Sequence, residues 1–455
     1  MDRPSLPNGS VGEVLEALGL PADEPRTEVL TAFTRRLLSR ASNEWLQSEP
    51  AERVASASAA LLDLIDRTPP GEVGVDVVAA EKSMHRAVLL TVMPDCPFIV
   101  ETLREGLQAA EIPIIALLHP VLGIERDSDG RVIRILDRGE AGEHVSATLI
   151  LLDTQLDADT GNTLRSEAFS RLIQVQRATE DFRPMSAAVE TLISDLEQEK
   201  TWLDWRAGEV QEIQDLLSWL GNGNFVLLGY REYVVDSPDS GERTVHVSPG
   251  TGLGILRDDE QSGFRSAQSL SDLPADLRAR LVGGPMLIVS KTNALSPVHR
   301  RARMDDISVK KIGPDGVVEG ERRFLGLFTA KAFAQDASRI PILRRKLVEI
   351  LEAEQVDKGS HDHGLVVRTF NSLPKEELFL TPVADLVRMI DTVLETHGTD
   401  EVLLYAKPDS LRRGVNLMVI LPRRKFSGEV RRNIQAALVE SYDGHLLNYY
   451  LTMGE

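Results

Sequence analysis

Apolar residues along this chain change their spacing several times, and each change marks an element. Through residues 1–82 they fall at helical steps: VGEVLEALGL, EVLTAFTRRLLSRA and ERVASASAALLDLIDRT each build one apolar stripe. RTPPGEVG, residues 67–74, breaks that pattern and reads as a boundary. The period then shortens. HRAVLLTVM (85–93) is a short apolar run typical of a buried strand. PDCPFIVETLREGLQAA returns to a helical period, with Pro97 suited to the first turn and Ile99, Leu103 and Leu107 repeating every fourth position. IPIIALLHPVLGIERD (112–127) is strand-like, SDGRVIRIL continues it through an Asp-Gly turn, and HVSATLILLD (144–153) is a further strand before the helix TLRSEAFSRLIQVQRATEDF. The pattern predicts a ferredoxin-like α+β plan, with helices on one face of an antiparallel sheet. It departs from that plan in having an extra short strand and no closing strand before the next helix, PMSAAVETLISDLEQE.

A helix through EVQEIQDLLSWLG (209–221) leads into a strand-rich stretch ending near residue 330. Its runs are FVLLGYREYVVD, RTVHVS, GPMLIVSKTN, DDISVKKIG and GERRFLGLFT, separated by the turn sequences SPDSGE, SPGTGLG and GPDGVV. This predicts one antiparallel sheet domain closed by the helix SRIPILRRKLVEILEA, in which Ile340, Leu343, Leu347, Ile350 and Leu351 share a face. Residues 361–398 read as helical. DEVLLYAKPD, GVNLMVILPRRKF, GEVRRNIQAALVES and HLLNYYLTM then read strand, strand, helix, strand, a fold expected to be incomplete at Glu455. The expected division is a helical segment at 1–82, a ferredoxin-like domain at 83–200, a strand-rich domain at 206–355, a helical connector at 356–398 and a partial ferredoxin-like domain at 399–455.

Composition narrows the function. A net charge of −19 argues against a general polyanion binder and against docking on anionic membranes, because both depend on clustered Lys and Arg. The basic clusters Lys310–Lys311, Arg322–Arg323 and Arg344–Lys346 stand apart, and strand alternation splits neighbours between faces. They read as a solvated or subunit-facing side of a packed strand–helix unit, with no nucleic acid as partner. One cysteine, Cys96, fits a reducing compartment. No apolar run approaches the roughly 18–20 residues that span a bilayer, and the N-terminus lacks the apolar segment of a secretory signal. The expectation is a soluble, cytoplasmic protein.

Four motifs are weighed for chemistry. Gly250, Gly252 and Gly254 lie between strand-like runs with no helix behind them, so they read as a structural turn rather than a phosphate cradle. Asp157, Asp159 and Asn162 have the wrong order for a calcium loop and read as a loop or helix cap. His361 and His363 lack companion ligands for a zinc site. Cys96 precedes a helix but has no His partner, and reads as a small buried hydrophobe rather than a nucleophile.

Four ordered stretches carry a resemblance: DCPFIVETL with LLHPVLGIERDSDGR; NFVLLGYREY with GLGILR; SKTNALSPVHRRARMDDISVKK; and GERRFLGLFTAKAFAQDASRIPILRRK. They resemble the N-terminal region of the large NAD-dependent glutamate dehydrogenases. The resemblance implies ACT-like (ferredoxin-like) domains at 83–200 and 399–455 and a PAS-like domain at 206–355. It also implies that NAD binds, and that L-glutamate is oxidised to 2-oxoglutarate and ammonia, in a catalytic domain outside these residues. No catalytic, NAD-binding or metal-binding residue is expected here. An amino-acid effector site is expected at the strand-to-helix loop of the first ACT-like domain, on Asp95, Cys96, Pro97 and Phe98, where N–H groups at a helix start meet a carboxylate. A homo-oligomer is expected. The alternative is a stand-alone sensing or interaction protein without catalysis.

Overall fold

The computed structural model describes residues 8–19, 24–78, 86–137, 139–203, 206–237, 241–395, 400–408, 414–446, 449 and 451. The expected boundaries at 82/83 and 398/399 fall outside these, as does much of the closing strand expected at HLLNYYLTM.

Helices α1 (Asn8–Ala17), α2 (Pro25–Leu38), α3 (Asn43–Ser48) and α4 (Ala51–Arg67) come first. Pro25 opens α2, where its missing N–H costs nothing, and Ser42 caps α3 by accepting from the Trp45 N–H. There follow β1 (Gly74–Val78), β2 (Val88–Pro94), α5 (Ile99–Ala109), β3 (Ile114–Leu118), β4 (Val121–Arg126), β5 (Val132–Ile135), β6 (Glu143–Leu152) and α6 (Ala158–Glu180). The antiparallel sheet runs β1-β2-β6-β4-β5, with β3 also paired to β6.

Three sequence expectations are corrected. The 1–82 segment is not helical throughout, because the valine-rich Gly74–Val78 stretch pairs with β2 as an edge strand. The 112–127 run is two strands, both paired to β6, split at His119-Pro120 where proline has no N–H for the ladder. Helices cover both faces of the sheet, not one. Ala147, Leu149 and Leu151 face the α1–α4 layer with Leu61, Leu62 and Ile65, while Ile150 and Leu152 meet Leu103 and Leu107 of α5 and Leu164 and Leu172 of α6.

The second unit holds α7 (Phe182–Glu199), α8 (Ala207–Trp219), β7 (Phe225–Asp236), β8 (Thr244–Val247), β9 (Leu253–Gly254), β10 (Gln268–Ser269), α9 (Ala275–Val282), β11 (Leu287–Leu295), β12 (Arg303–Ile312) and β13 (Val318–Phe328). Its sheet runs β10-β8-β7-β13-β12-β11, with β9 on β7. Helices α10 (Ala330–Ala334), α11 (Leu343–Ala353), α12 (His361–Ser372), α13 (Lys375–Leu380) and α14 (Val383–Glu395) follow. Tyr230, Ile307, Val309 and Phe324 of this sheet share a core with Leu196, Ile213, Leu343, Ile350 and Ile390. As its period predicts, α11 buries Leu343, Leu347 and Ile350, with Ile340 just before it. The last elements are the hairpin β14 (Leu403–Pro408) and β15 (Val415–Ile420) and the helix α15 (Gly428–Ser441). The fold is multi-domain α+β, with ferredoxin-like ACT modules.

Candidate functional site

The loop joining β2 to α5 carries the four expected effector residues. Asp95 and Pro97 are exposed, while Cys96 and Phe98 are half-buried. Phe98 takes a left-handed conformation (φ 77°, ψ 0°), which swings the chain into α5 without a side-chain cap. Its carbonyl accepts from the Thr102 N–H at 3.0 Å. N–H groups in the first turn of a helix have no partner within it, and with the helix dipole they suit a carboxylate. Burial pushes the Cys96 thiol up; a hydrogen bond with Thr179 pulls it down, and the Asp95 and Glu180 carboxylates add to the rise. A raised thiol pKa lowers the share of thiolate, the nucleophilic form.

Sequence reasoning missed the polar row behind this loop. Ser146 on β6 donates to Asp95 Oδ1 at 2.6 Å, and His119, between β3 and β4, lies 2.8 Å from the Thr148 hydroxyl through Nδ1. Burial lowers the His119 pKa, partly countered by Asp95. The signal was present: Ser146 and Thr148 interrupt the apolar run of HVSATLILLD on one face.

The second sheet also reaches the loop. The turn between β11 and β12 sets the His299 ring 5.0 Å from the Phe98 ring, and the His299 N–H donates to the buried Thr102 hydroxyl at 2.9 Å. Arg301 N–H reaches Glu105 Oε2 at 3.3 Å. On the other side, the Gly254 N–H donates to Asp181 Oδ2 at 2.7 Å, and Arg257 pairs with Asp181 and Glu180. Leu228, Val298, Leu325 and Leu327 of the second unit complete the apolar cluster beneath α5 and α6.

The other weighed motifs have structural duties. Gly254 (φ +61°) lies so close to the Leu228 carbonyl that a side chain would collide, and β9 leads to a short turn rather than a helix. Asp157 caps α6 by accepting from the Thr160 N–H at 2.8 Å, and Ser360 caps α12 through the His363 N–H. No group of His, Cys, Asp and Glu suited to a metal occurs among the described residues.

The basic clusters are more internal than the sequence suggested. Asp306, 1% exposed, receives a two-pronged contact from Arg323 at 3.0 and 2.8 Å, and a third from Arg280 at 3.1 Å. Arg322 pairs with Asp195, and Arg344 with Glu212 and Asp215. Lys346, its pKa lowered to about 8 by burial and then by Lys407, donates to the carbonyls of Leu378, Phe379 and Thr381 at 2.7, 2.9 and 2.8 Å. The solvated-face reading therefore fails for Arg322, Lys346 and the 2%-exposed Lys310, and holds for Lys311 and Arg345. A cleft of about 430 Å³, lined by Glu232, Asp236, Lys311, Asp315, Glu319 and Arg322, opens at the β12–β13 turn. Beside it, burial raises the Glu199 pKa to about 7, with Arg322 and Lys311 opposing and Asp195 and Glu319 adding.

Residues 33–168 match the description "Glutamate dehydrogenase, ACT1 domain", residues 340–399 "Glutamate dehydrogenase, helical motif 1", and residues 403–455 "Glutamate dehydrogenase, ACT2 domain". Over 424 residues, 90% of this chain, it is 30% identical to an NAD-specific glutamate dehydrogenase of Pseudomonas aeruginosa and spans 26% of that protein. Enzymes of the same name from Halomonas elongata and Mycobacterium tuberculosis are 28% and 27% identical over 79% and 76% of the chain, which spans 22% and 20% of them. The chain thus covers about a quarter or less of the length of the curated relatives it matches. It belongs, by its ACT1, helical-motif and ACT2 segments together, to the N-terminal region of the large NAD-specific glutamate dehydrogenase family.

Proposed function

We propose that this chain is the regulatory and assembly portion of a large NAD-specific glutamate dehydrogenase. In that reading, oxidation of L-glutamate to 2-oxoglutarate and ammonia, and the binding of NAD, belong to polypeptide outside these residues. Hydride transfer needs the nicotinamide carbon held against the substrate, and the glycines at 250–254, the nearest approach to a dinucleotide loop, serve a strand turn instead. An amino-acid effector docks its carboxylate at the start of α5, beside Asp95, Cys96, Pro97 and Phe98. The second sheet, residues 206–355, is the PAS-like unit, with 356–398 as helical connector. The chain works as a homo-oligomer, a role supported by apolar side chains such as Leu404, Val415 and Val439 left exposed on the last unit.

The observation that carries this reading is the position of the β2–α5 loop. It lies where loops of the second sheet grip the first, so a ligand there touches both units. Titration calorimetry of the 455-residue chain with the protein amino acids tests it. At least one should give saturable heat, and no heat with no rise in melting temperature from any of them removes the effector role. NADH formation from glutamate by this chain alone would contradict the placement of catalysis elsewhere.

A further inference from the structure

The β11–β12 turn, residues 296–301, is built as a rigid tip. The Ser296 N–H donates to the Ala302 carbonyl at 2.8 Å, and the Ser296 hydroxyl donates to the Val298 carbonyl at 2.6 Å while accepting from the Val298 N–H at 3.2 Å. Its base is fixed to the second sheet. Arg300 donates to the Phe328 carbonyl at 2.8 Å and stacks its guanidinium over the Phe333 ring at 5.6 Å.

The tip meets the first unit at α5, above the apolar cluster that Met304, Leu325 and Leu327 share with it. There two non-glycine residues in the left-handed region face each other, Phe98 at φ 77° and His299 at φ 69°, with their rings 5.0 Å apart. Such backbone persists only while its surroundings hold it, and it gathers at switch segments. Charge favours the same seating, since Arg300 and Arg301 approach a helix carrying Glu101 and Glu105. His299 Nδ1 is buried with no protein partner. Burial and Arg300 lower the imidazole pKa, with Glu101 and Glu105 opposing, so the ring sits against Phe98 as a neutral aromatic.

We propose that the 296–301 turn is an intramolecular latch that controls access to the β2–α5 loop: seated on Phe98 and Thr102 it holds that loop closed, and withdrawn it frees it. As regulation of an amino-acid site, this rests on the reading of the β2–α5 loop given above. Because the latch leads directly into β12, its displacement pulls on Asp305, which Lys291 ties at 2.7 Å and links at 2.9 Å to Glu376 of α13. Entry of a ligand at the first sheet is thereby conveyed to the helices beyond the second.

Cys96, the single cysteine, packs in the same apolar cluster as Phe98 and Val298 and reports on the latch directly. The rate of Cys96 alkylation by N-ethylmaleimide is measured by mass on the full chain. His299→Ala should speed labelling about tenfold by raising the population of the open loop, and His299→Phe, which keeps a ring against Phe98, should stay near the parent rate. Glu105→Gln, away from the apolar cluster, should speed it about two- to threefold, so the test survives should His299→Ala fold poorly. Equal rates in all three variants and the parent overturn the latch. Faster labelling of His299→Ala together with tighter amino-acid binding supports the latch and the effector site alike. Faster labelling without amino-acid heat in any variant supports the latch and removes the effector site. Amino-acid heat with unchanged labelling overturns the latch and leaves the effector site standing.

Discussion

Strand β6 in the first unit and helix α15 in the last lie at opposite ends of the range of burial. The last eight residues of β6 are all buried, between the α1–α4 layer on one side and α5 and α6 on the other. No described residue of α15 is buried, and on the neighbouring hairpin Leu404 and Val415 are 51% and 41% exposed. The difference is one of partners rather than of sequence quality, since both ends carry apolar residues at regular periods. The first sheet spends its apolar faces on helices of its own chain and on a cluster shared with the second sheet. Among its described residues the last unit leaves Leu404, Val415 and Val439 exposed, and it meets the body through Tyr405 and Met418, which pack partly buried against the core of the second unit, and through Lys407, which donates to the Thr381 hydroxyl at 3.0 Å. The part of the chain that carries the candidate effector loop is thus deeply buried against its neighbour, and the described residues of the last unit are held by a lighter contact.

Substitutions can break that contrast, starting where the body is most tightly bound. Asp306→Ala leaves Arg323 and Arg280 without their buried carboxylate and should cost about 3–5 kcal/mol in denaturant unfolding of the body. Lys346→Met leaves three carbonyls around the end of α13 unpaired and should cost about 2–3 kcal/mol, loosening α13 and α14 from α11. Glu199 sharpens the picture through pH. Its pKa is raised from an ordinary 4.5 to about 7, so its contribution is fully present below about 4.5 and is lost as pH rises through about 7. Glu199→Gln should therefore raise stability by on the order of 2 kcal/mol at pH 8 and change little near pH 4.5. Val439→Ser on α15, where the side chain is 37% exposed, should shift stability by less than about 0.5 kcal/mol. A loss there as large as that of Asp306→Ala would mean that α15 has a buried partner and that the contrast is false.

Much of this body was legible in the pattern of apolar residues. The helical stripes of α4 and α11, the turn before β5 and the largely apolar run of β6 all follow from local spacing. A stripe says that a helix packs, not against what, so α1–α4 covering the far face of the sheet was not readable. Nor was β1, whose five residues become a strand only through the exposed edge of β2. Placing the candidate loop needed only a strand followed by a helix. Its partners were hidden because Thr102 and His299 lie 197 residues apart, and no periodicity encodes a contact at that separation. The basic clusters misled for a related reason. Several of their carboxylates, such as Asp195 for Arg322 and Glu212 for Arg344, lie more than a hundred positions away.

Hydrogen–deuterium exchange on the full chain, with and without an amino acid that gives heat in calorimetry, tests the functional account most directly. Binding should change protection at residues 94–105 and 296–303 together and leave β14, β15 and α15 as they were. A change confined to the last unit, or to the β2–α5 loop with none in the β11–β12 turn, would contradict it.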